Sequence, residues 1–218
     1  MTELMSKKVL IANCGTLGNP SKMPGFSYGL PARINCNIGG KLALNKLSTC
    51  FYCYADNRNN YAYPSVKKSQ TNRLSKLDNL PLWTVSMIQL INRECKRINE
   101  FYFRWFDSGD IQGMSHLLAI IEIANKLPNV KFWLPTKEYN LVANLDIEVP
   151  DNLVIRVSHP MLNLVFKPGK YSNTSSVLNA DNMHKAANLC PAPKQGNSCL
   201  ECRKCWNKSI DDISYKLH

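Results

Sequence analysis

Between residues 81 and 158 the sequence alternates strand-like apolar runs with amphipathic, helix-like segments. The predicted strands cover residues 101–106, 130–134 and 152–158, and the predicted helices cover 81–99, 114–127 and 138–145. Strands and helices that alternate with short connections indicate parallel strands joined by right-handed crossovers. The sequence therefore predicts an α/β protein built on a parallel sheet.

The chain length limits how far that sheet can extend. The chain has 218 residues, whereas an eight-stranded (β/α) barrel typically takes about 250, so we expect a partial parallel (β/α) barrel. Residues 1–160 are expected to form this core, including a loop-rich amino-terminal segment. Residues 161–218 are expected to form a loop-rich, cysteine-containing module. Outside the alternating region, Lys7–Cys14 is predicted as a strand and residues near 63–76 as a helix.

Polar residues directly follow or end three of the predicted strands. They are Ser108, Gly109 and Asp110 after the first, Thr136 and Lys137 after the second, and Ser158 at the end of the third. In parallel α/β folds the functional site lies at the carboxyl ends of the strands, so we expect these residues to contact a cofactor or substrate. Arg156, on the third strand, is expected to meet a carboxylate. The alternatives are ordinary turns, a helix cap at residues 108–110 and a structural ion pair for Arg156.

Nine cysteines are present, a high and odd number. Because the start of the chain does not resemble a secretory signal, a disulfide framework is disfavoured and metal ligation is favoured. Four of them form the carboxyl-terminal cysteine set: Cys190, Cys199, Cys202 and Cys205. Their spacing is similar to that of ferredoxins, which hold a [4Fe–4S] cluster, and a zinc site is the alternative. Cys14 and Cys95 are expected to be core residues.

Cys36, Cys50 and Cys53 form a second group, the amino-terminal cysteine set. Three thiolates on a [4Fe–4S] cluster leave one iron open to a ligand that is not protein. The alternative is that Cys36 is unrelated and that Cys50 and Cys53 share a zinc ion with other residues, since a structural zinc site needs four ligands.

The stretch Cys50-Phe51-Tyr52-Cys53 resembles the end of the Cys-x3-Cys-x-aromatic-Cys motif of radical S-adenosylmethionine (SAM) enzymes. The first gap is thirteen residues here instead of three. The resemblance implies that the open iron binds SAM, whose reductive cleavage gives a 5′-deoxyadenosyl radical, with flavodoxin or ferredoxin as electron donor. It also implies that Tyr52 and Asp110 lie near SAM and that Ser158 lies near its ribose.

The chain as a whole resembles a family of phage and mobile-element proteins called gene product 88. The resemblance rests on Phe26-Ser-Tyr-Gly-Leu-Pro31, Cys50–Ala55, Arg104–Asp110, Phe132–Lys137 and the carboxyl-terminal cysteines up to Trp206. It implies a viral or mobile-element origin in a bacterial host and assigns no substrate.

The formal net charge is +11, and the excess lies towards the two ends of the chain. Residues 1–76 carry a net +9, residues 77–166 a net −2 and residues 167–208 a net +5. Such a field attracts nucleic acid or a nucleotide-like substrate. No apolar run is long enough to cross a membrane, and we expect a cytoplasmic location.

Together these features predict an iron–sulfur protein that cleaves SAM to modify a phosphate-bearing substrate. The alternative is a non-enzymatic phage protein that binds nucleic acid or a host protein and whose loops are stabilised by zinc or iron–sulfur sites.

Overall fold

The computed structural model describes residues 4–56, 59–167 and 169–217, and contains one six-stranded sheet. Every strand pairs in parallel with its neighbours, and the strand order follows the chain. The strands are β1 (Phe26–Tyr28), β2 (Tyr102–Trp105), β3 (Lys131–Thr136), β4 (Leu153–Ser158), β5 (Thr174–Leu178) and β6 (Asp212–Lys216). Within the described ranges β1 and β6 do not pair, so the sheet is open. The predicted parallel α/β architecture is confirmed, and the sheet does not close into a barrel.

Six α-helices accompany the sheet in the described part of the chain. They are α1 (Lys7–Cys14), α2 (Asn37–Leu42), α3 (Pro64–Ser75), α4 (Leu80–Ile98), α5 (Met114–Lys126) and α6 (Tyr139–Ala143). The buried side chains of α1, α4 and α5 join those of β1–β4 in one hydrophobic core. Because side chains alternate across a strand, Phe103 and Trp105 enter that core, whereas Tyr102 and Arg104 lie on the opposite face.

Helix α4 shows why the longer helices are predictable from sequence. The side chain of Asn79 accepts a hydrogen bond from the Leu82 backbone at 3.2 Å, and Pro81 lies in the first turn, a position that suits proline. Trp83, Met87 and Leu90 are buried at helical spacing on one face. The helix ends at Asn99, which adopts the left-handed conformation with φ 52°. The predictions for α3, α4 and α5 are confirmed to within two residues at each end.

The prediction for residues 7–14 is wrong, because this segment is a helix rather than a strand. Ser6 caps it by accepting a hydrogen bond from the Val9 backbone. Leu10 and Cys14, four residues apart, are the buried positions and join the core beside α4. The short apolar run around Val9 suggested a strand, but spacing of three or four residues decides which side chains are buried.

Two strands, β5 and β6, lie in the region expected to be loop-rich. β5 contains one threonine and two serines among its five residues, and so lacks the apolar pattern of a strand that is covered on both faces. Both strands extend the sheet beyond β4. The boundary expected at residue 160 therefore falls between two strands of one continuous sheet.

Replacing Tyr28 by phenylalanine should destabilise the fold by about 1–3 kcal/mol, because buried polar groups would lose their partner. The Tyr28 hydroxyl lies 2.7 Å from the carbonyl oxygen of Cys14 and accepts a hydrogen bond from Trp83 Nε1 at 3.1 Å. Urea unfolding measures the change. Tyr63→Phe, at a side chain that is 60% exposed, should change stability by less than about 0.5 kcal/mol. Equal effects of the two substitutions would contradict the prediction.

Candidate functional site

A cavity of about 390 Å³ lies at the carboxyl ends of the strands. Most of the residues singled out in the sequence meet there. The lining includes Cys36, Cys50, Tyr52, Cys53, Ser108, Gly109, Asp110, Thr136, Lys137 and Ser158. The parallel sheet brings them together because the carboxyl ends of all its strands lie along one edge.

Cys50 and Cys53 are held by a short 3-10 turn, Thr49–Tyr52. Ser48 Oγ accepts a hydrogen bond from the Cys50 backbone at 3.0 Å, which caps this turn. The backbone N–H of Thr49 donates to the carbonyl of Pro160 at 3.0 Å. The loop that follows β4 therefore fixes the position of this pair of cysteines.

Cys36 immediately precedes helix α2 and lies beside the same pair. Glu138 Oε1 accepts a hydrogen bond from the Ile38 backbone at 3.0 Å, which ties α2 to the turn after β3. A β-carbon at Gly39 would lie 3.0 Å from Cys36 Cβ and 3.4 Å from Cys50 Sγ. A residue without a side chain at this position thus lets Cys36 and Cys50 share one side of the cavity.

Asp110 connects two strand ends beside these cysteines. Its Oδ1 accepts hydrogen bonds from Thr136 Oγ1 at 2.6 Å and from the Ile111 backbone at 2.8 Å, and its Oδ2 accepts one from the Lys137 backbone at 2.8 Å. Burial raises the pKa of Asp110 to about 6, although these hydrogen bonds act in the opposite direction. A carboxylate has about four acceptor positions, so Asp110 keeps one for a further donor.

Lys137 supplies a positive charge next to the thiols. Its Nζ donates to the carbonyl of His159 at 3.2 Å. Burial lowers the pKa of Lys137, while Cys50, Asp110 and the other two cysteines of the set act to raise it. A lysine in this position stabilises thiolates, which are the form that binds metal.

Burial favours the neutral form of the three thiols of the amino-terminal cysteine set. Burial raises the pKa of Cys36 to about 12, and it also raises the pKa values of Cys50 and Cys53. Metal binding at such thiols releases protons. In the described part of the chain, no three His, Cys, Asp or Glu side chains converge closely enough to hold a single metal ion.

A family model described as gene product 88 matches residues 3–208, which is nearly the whole chain. The chain belongs to the gene product 88 family. No curated protein and no solved structure matches it. The family expected from the sequence motifs is therefore confirmed, and a phage origin fits it. No helix in the described ranges has the length and apolar character needed to cross a bilayer.

In this gene product 88 protein, two predicted contact residues have structural partners. Ser108 Oγ donates to the carbonyl of Leu30 at 2.8 Å and accepts from Gln70 Nε2 at 2.7 Å. Gly109 has φ 76°, and a β-carbon there would lie 2.7 Å from Leu30 Cβ. This turn therefore fixes the packing of β1 against the end of β2, and Asp110 is the member of the trio with spare hydrogen-bonding capacity.

Arg156 is not placed at the cavity, contrary to its expected contact with a carboxylate. Its side chain is fully buried, and its Nη1 donates to the carbonyls of Thr174 at 2.9 Å and Ile210 at 3.0 Å. Arg156 lies on strand β4, and its side chain extends towards the segment before β6. Its guanidinium therefore donates hydrogen bonds to backbone carbonyls. The carboxyl-terminal cysteine set also lies outside the cavity lining.

Arg104 and Trp133 line the cavity but were not predicted as site residues from the sequence. Arg104 lines the cavity with its guanidinium 4.5 Å from the centre of the Trp133 ring, and its Nη2 donates to Tyr54 Oη at 3.1 Å. Tyr54 and Tyr61 both donate to the backbone carbonyl of Asp107. Arg104 and Trp133 lie inside strands, and the two-residue alternation along β2 and β3 was the signal that could have placed them on the cavity face. Ser175, Ser176, Tyr215 and Lys216 also line the cavity, from the two strands that were missed.

Proposed function

We propose that this protein is an iron–sulfur enzyme that resembles radical SAM enzymes, with an open [4Fe–4S] cluster on the amino-terminal cysteine set. The observation that carries this proposal is the meeting of all three cysteines, Asp110 and Lys137 at one cavity along the carboxyl edge of a parallel sheet. Three thiolates leave one iron of such a cluster free. The sequential order of the six strands also agrees with a partial barrel.

The donor set does not fit a single metal ion. A zinc ion needs its sulfur ligands about 2.3 Å from one point, and the described side chains do not converge in this way. In a cubane each thiolate binds a different iron, so the sulfurs need not approach as closely. The cavity of about 390 Å³ that these thiols line, together with the positive charge of Lys137, suits a bulky anionic group.

When bound, the cluster would supply one electron that breaks a carbon–sulfur bond of the SAM sulfonium; a reduced flavodoxin or ferredoxin would replace that electron. The residues of the chain would bind and orient the ligand. Asp110 has one acceptor position free for an ammonium group, and Ser158, whose Oγ lies 3.0 Å from that of Ser175, offers hydroxyls to a ribose. Arg104 and Lys216, which also line the cavity, would bind a phosphate-bearing substrate.

The test is to purify the protein without oxygen and measure iron, zinc and acid-labile sulfide per chain. Electron paramagnetic resonance spectra of the reduced protein are then recorded with and without SAM. A cluster signal that changes when SAM is added supports the proposal. Iron that does not respond to SAM, or zinc alone, would overturn it.

A second candidate is a non-enzymatic protein that binds nucleic acid. The net charge of +11 favours it, because a basic surface releases counterions from nucleic acid. Binding that weakens steeply with salt in a protein without SAM-responsive iron would support this candidate.

Replacing Gly39 by alanine should weaken iron retention by about ten-fold, as expected for changes just outside a metal's ligands. The added carbon would crowd Cys36 and Cys50. Alanine is a better helix former than glycine by up to about 1 kcal/mol, so loss of the fold should not cause the effect. Iron per chain after reconstitution and gel filtration measures it. Lys41→Ala, at an exposed position of the same helix, is the control, and equal iron in both variants would count against the prediction.

A further inference from the structure

The carboxyl-terminal cysteine set is brought together by segments far apart in the chain. The backbone of Cys190 donates to the carbonyl of Ser214 on β6 at 2.9 Å, and that of Cys199 donates to Lys22 at 2.8 Å. Cys202 is joined to Cys199 by a backbone hydrogen bond of 2.8 Å. Cys205 is buried in a 3-10 turn, Lys204–Trp206.

These four thiols lie within electrostatic reach of one another. Burial raises the pKa values of Cys190, Cys199 and Cys205, and neighbouring cysteines of the set raise them further. The charge of Cys202 raises the pKa values of both Cys190 and Cys199, and the charge of Cys190 raises the pKa of Cys205. Cys190 packs against the hydrophobic cluster that contains Cys205, and Cys199 and Cys202 share a backbone hydrogen bond, so these contacts place the four thiols in one region.

Three buried N–H groups beside this region have no acceptor in the described structure. They are Arg104 Nε, Arg156 Nε and Trp133 Nε1. Each belongs to a side chain that can donate but not accept. Trp133 packs in one cluster with Cys205 and Trp206, with Cys190 against it. The positive charge of Arg104 acts to lower the pKa values of Cys199 and Cys205, and that of Arg156 acts to lower the pKa of Cys205.

Arg156 also lacks a paired negative charge. Among the described residues it forms no ion pair, and burial lowers its pKa, whereas Tyr54 and Asp107 raise the pKa of Arg104 despite its burial. The carboxylates of Asp211 and Asp212 act to raise the pKa of Arg156 but form no ion pair with it. The Asp212 carboxylate instead accepts hydrogen bonds from Thr174 and Ser214. A buried charge without a partner costs several kcal/mol. An anionic group at the four thiols would supply both the missing charge and the missing acceptors.

We propose that the carboxyl-terminal cysteine set binds a second [4Fe–4S] cluster, with the N–H groups of Arg104, Arg156 and Trp133 around it. A cubane held by four thiolates is negatively charged, and its sulfurs accept hydrogen bonds, which tune such clusters. Zinc fits less well, since no three of the described cysteines converge on one point. This second site does not depend on the proposed SAM chemistry.

The same side chains connect this centre to the cavity. Arg104 and Trp133 both line the cavity at the carboxyl edge of the sheet, and both belong to the group of donors beside the four thiols. The second cluster would therefore lie behind the cavity wall and hold Arg104 in position.

The test uses the variant Cys36→Ala/Cys50→Ala/Cys53→Ala, purified without oxygen and reconstituted with iron and sulfide. We expect about four irons per chain and an equal amount of sulfide. The electron paramagnetic resonance signal of the reduced protein should not change when SAM is added. One zinc without iron, or no metal in a chain with a native circular dichroism spectrum, would overturn the proposal. The complementary variant Cys199→Ala/Cys202→Ala should lose these irons and keep the SAM response. Failure of the SAM response in the unmodified protein would reject the proposed function and leave this cluster standing.

A second measurement separates an electrostatic role of Arg156 from a structural one. Arg156→Gln should shift the reduction potential of this cluster to more negative values, because a reduced cluster carries more negative charge and loses a stabilising cation. Arg156→Lys keeps the charge and should largely restore the potential. Identical potentials in the glutamine variant and the unmodified protein would contradict the assignment of Arg156 as an outer donor.

Discussion

Cys50→Ala should abolish the SAM-dependent change in the electron paramagnetic resonance spectrum and remove about four irons per chain. Cys50 lines the cavity together with Cys36 and Lys137, and it lies in the turn capped by Ser48. Two remaining thiolates cannot replace the three that the proposed open cluster needs. Iron, sulfide and SAM binding, measured on protein purified without oxygen, give the result.

Cys95→Ala is the matched control, because it also removes one free thiol. Cys95 lies in helix α4 within the main hydrophobic core, away from the cavity lining. This variant should keep its iron and its response to SAM. A full iron content in Cys50→Ala, or equal iron loss in the two variants, would show that Cys50 does not bind the cluster.

Trp105→Ala should destabilise the protein by about 3–5 kcal/mol, the range for removing a large buried aromatic side chain. The Trp105 side chain is fully buried on β2. Its ring lies 4.8 Å from that of Phe103, 5.9 Å from that of Trp83 and 6.3 Å from that of Phe132, measured between centroids. The substitution would open a large cavity between the sheet and helix α4. Guanidinium unfolding of the metal-free protein measures the change.

The control is Leu82→Ala. The Leu82 side chain lies on the same helix as Trp83 but is 41% exposed. Because less apolar surface is removed from its neighbours, this change should cost clearly less than Trp105→Ala. The loss of stability in Trp105→Phe should lie between those of the other two variants, since phenylalanine keeps part of the buried volume. A cost below about 1 kcal/mol for Trp105→Ala would mean that the aromatic cluster is not the centre of the core.

The central part of the fold was predictable because its elements carry strong periodic patterns. β2, β3 and β4 are apolar runs, and α4 and α5 bury residues at helical spacing. β5 gave no such signal, since its residues Thr174, Ser175 and Ser176 are buried by hydrogen bonding as well as packing. In β6 the alternation of Ile213 and Tyr215 was present but too short to decide between a strand and a loop.

The candidate site was predictable where chemistry and strand ends coincide. Cysteine spacing and the polar residues after β2, β3 and β4 identified most of one cavity wall. Arg104 and Trp133 were missed because their role depends on which face of the sheet each residue occupies. Arg156 was misplaced for the same reason: a strand position alone does not say whether a guanidinium meets a ligand or backbone carbonyls.

The hydrogen bond between Thr49 and Pro160 has a consequence for the order of assembly. It joins the amino-terminal cysteine turn to a loop more than one hundred residues later, and Cys199 is similarly joined to Lys22. Contacts between such distant segments form late, because a long loop must close first. A growing chain on the ribosome therefore cannot complete the amino-terminal arrangement before residue 160 has emerged, nor the carboxyl-terminal one before residue 205 has emerged. The iron that we propose would bind only after these distant segments have met.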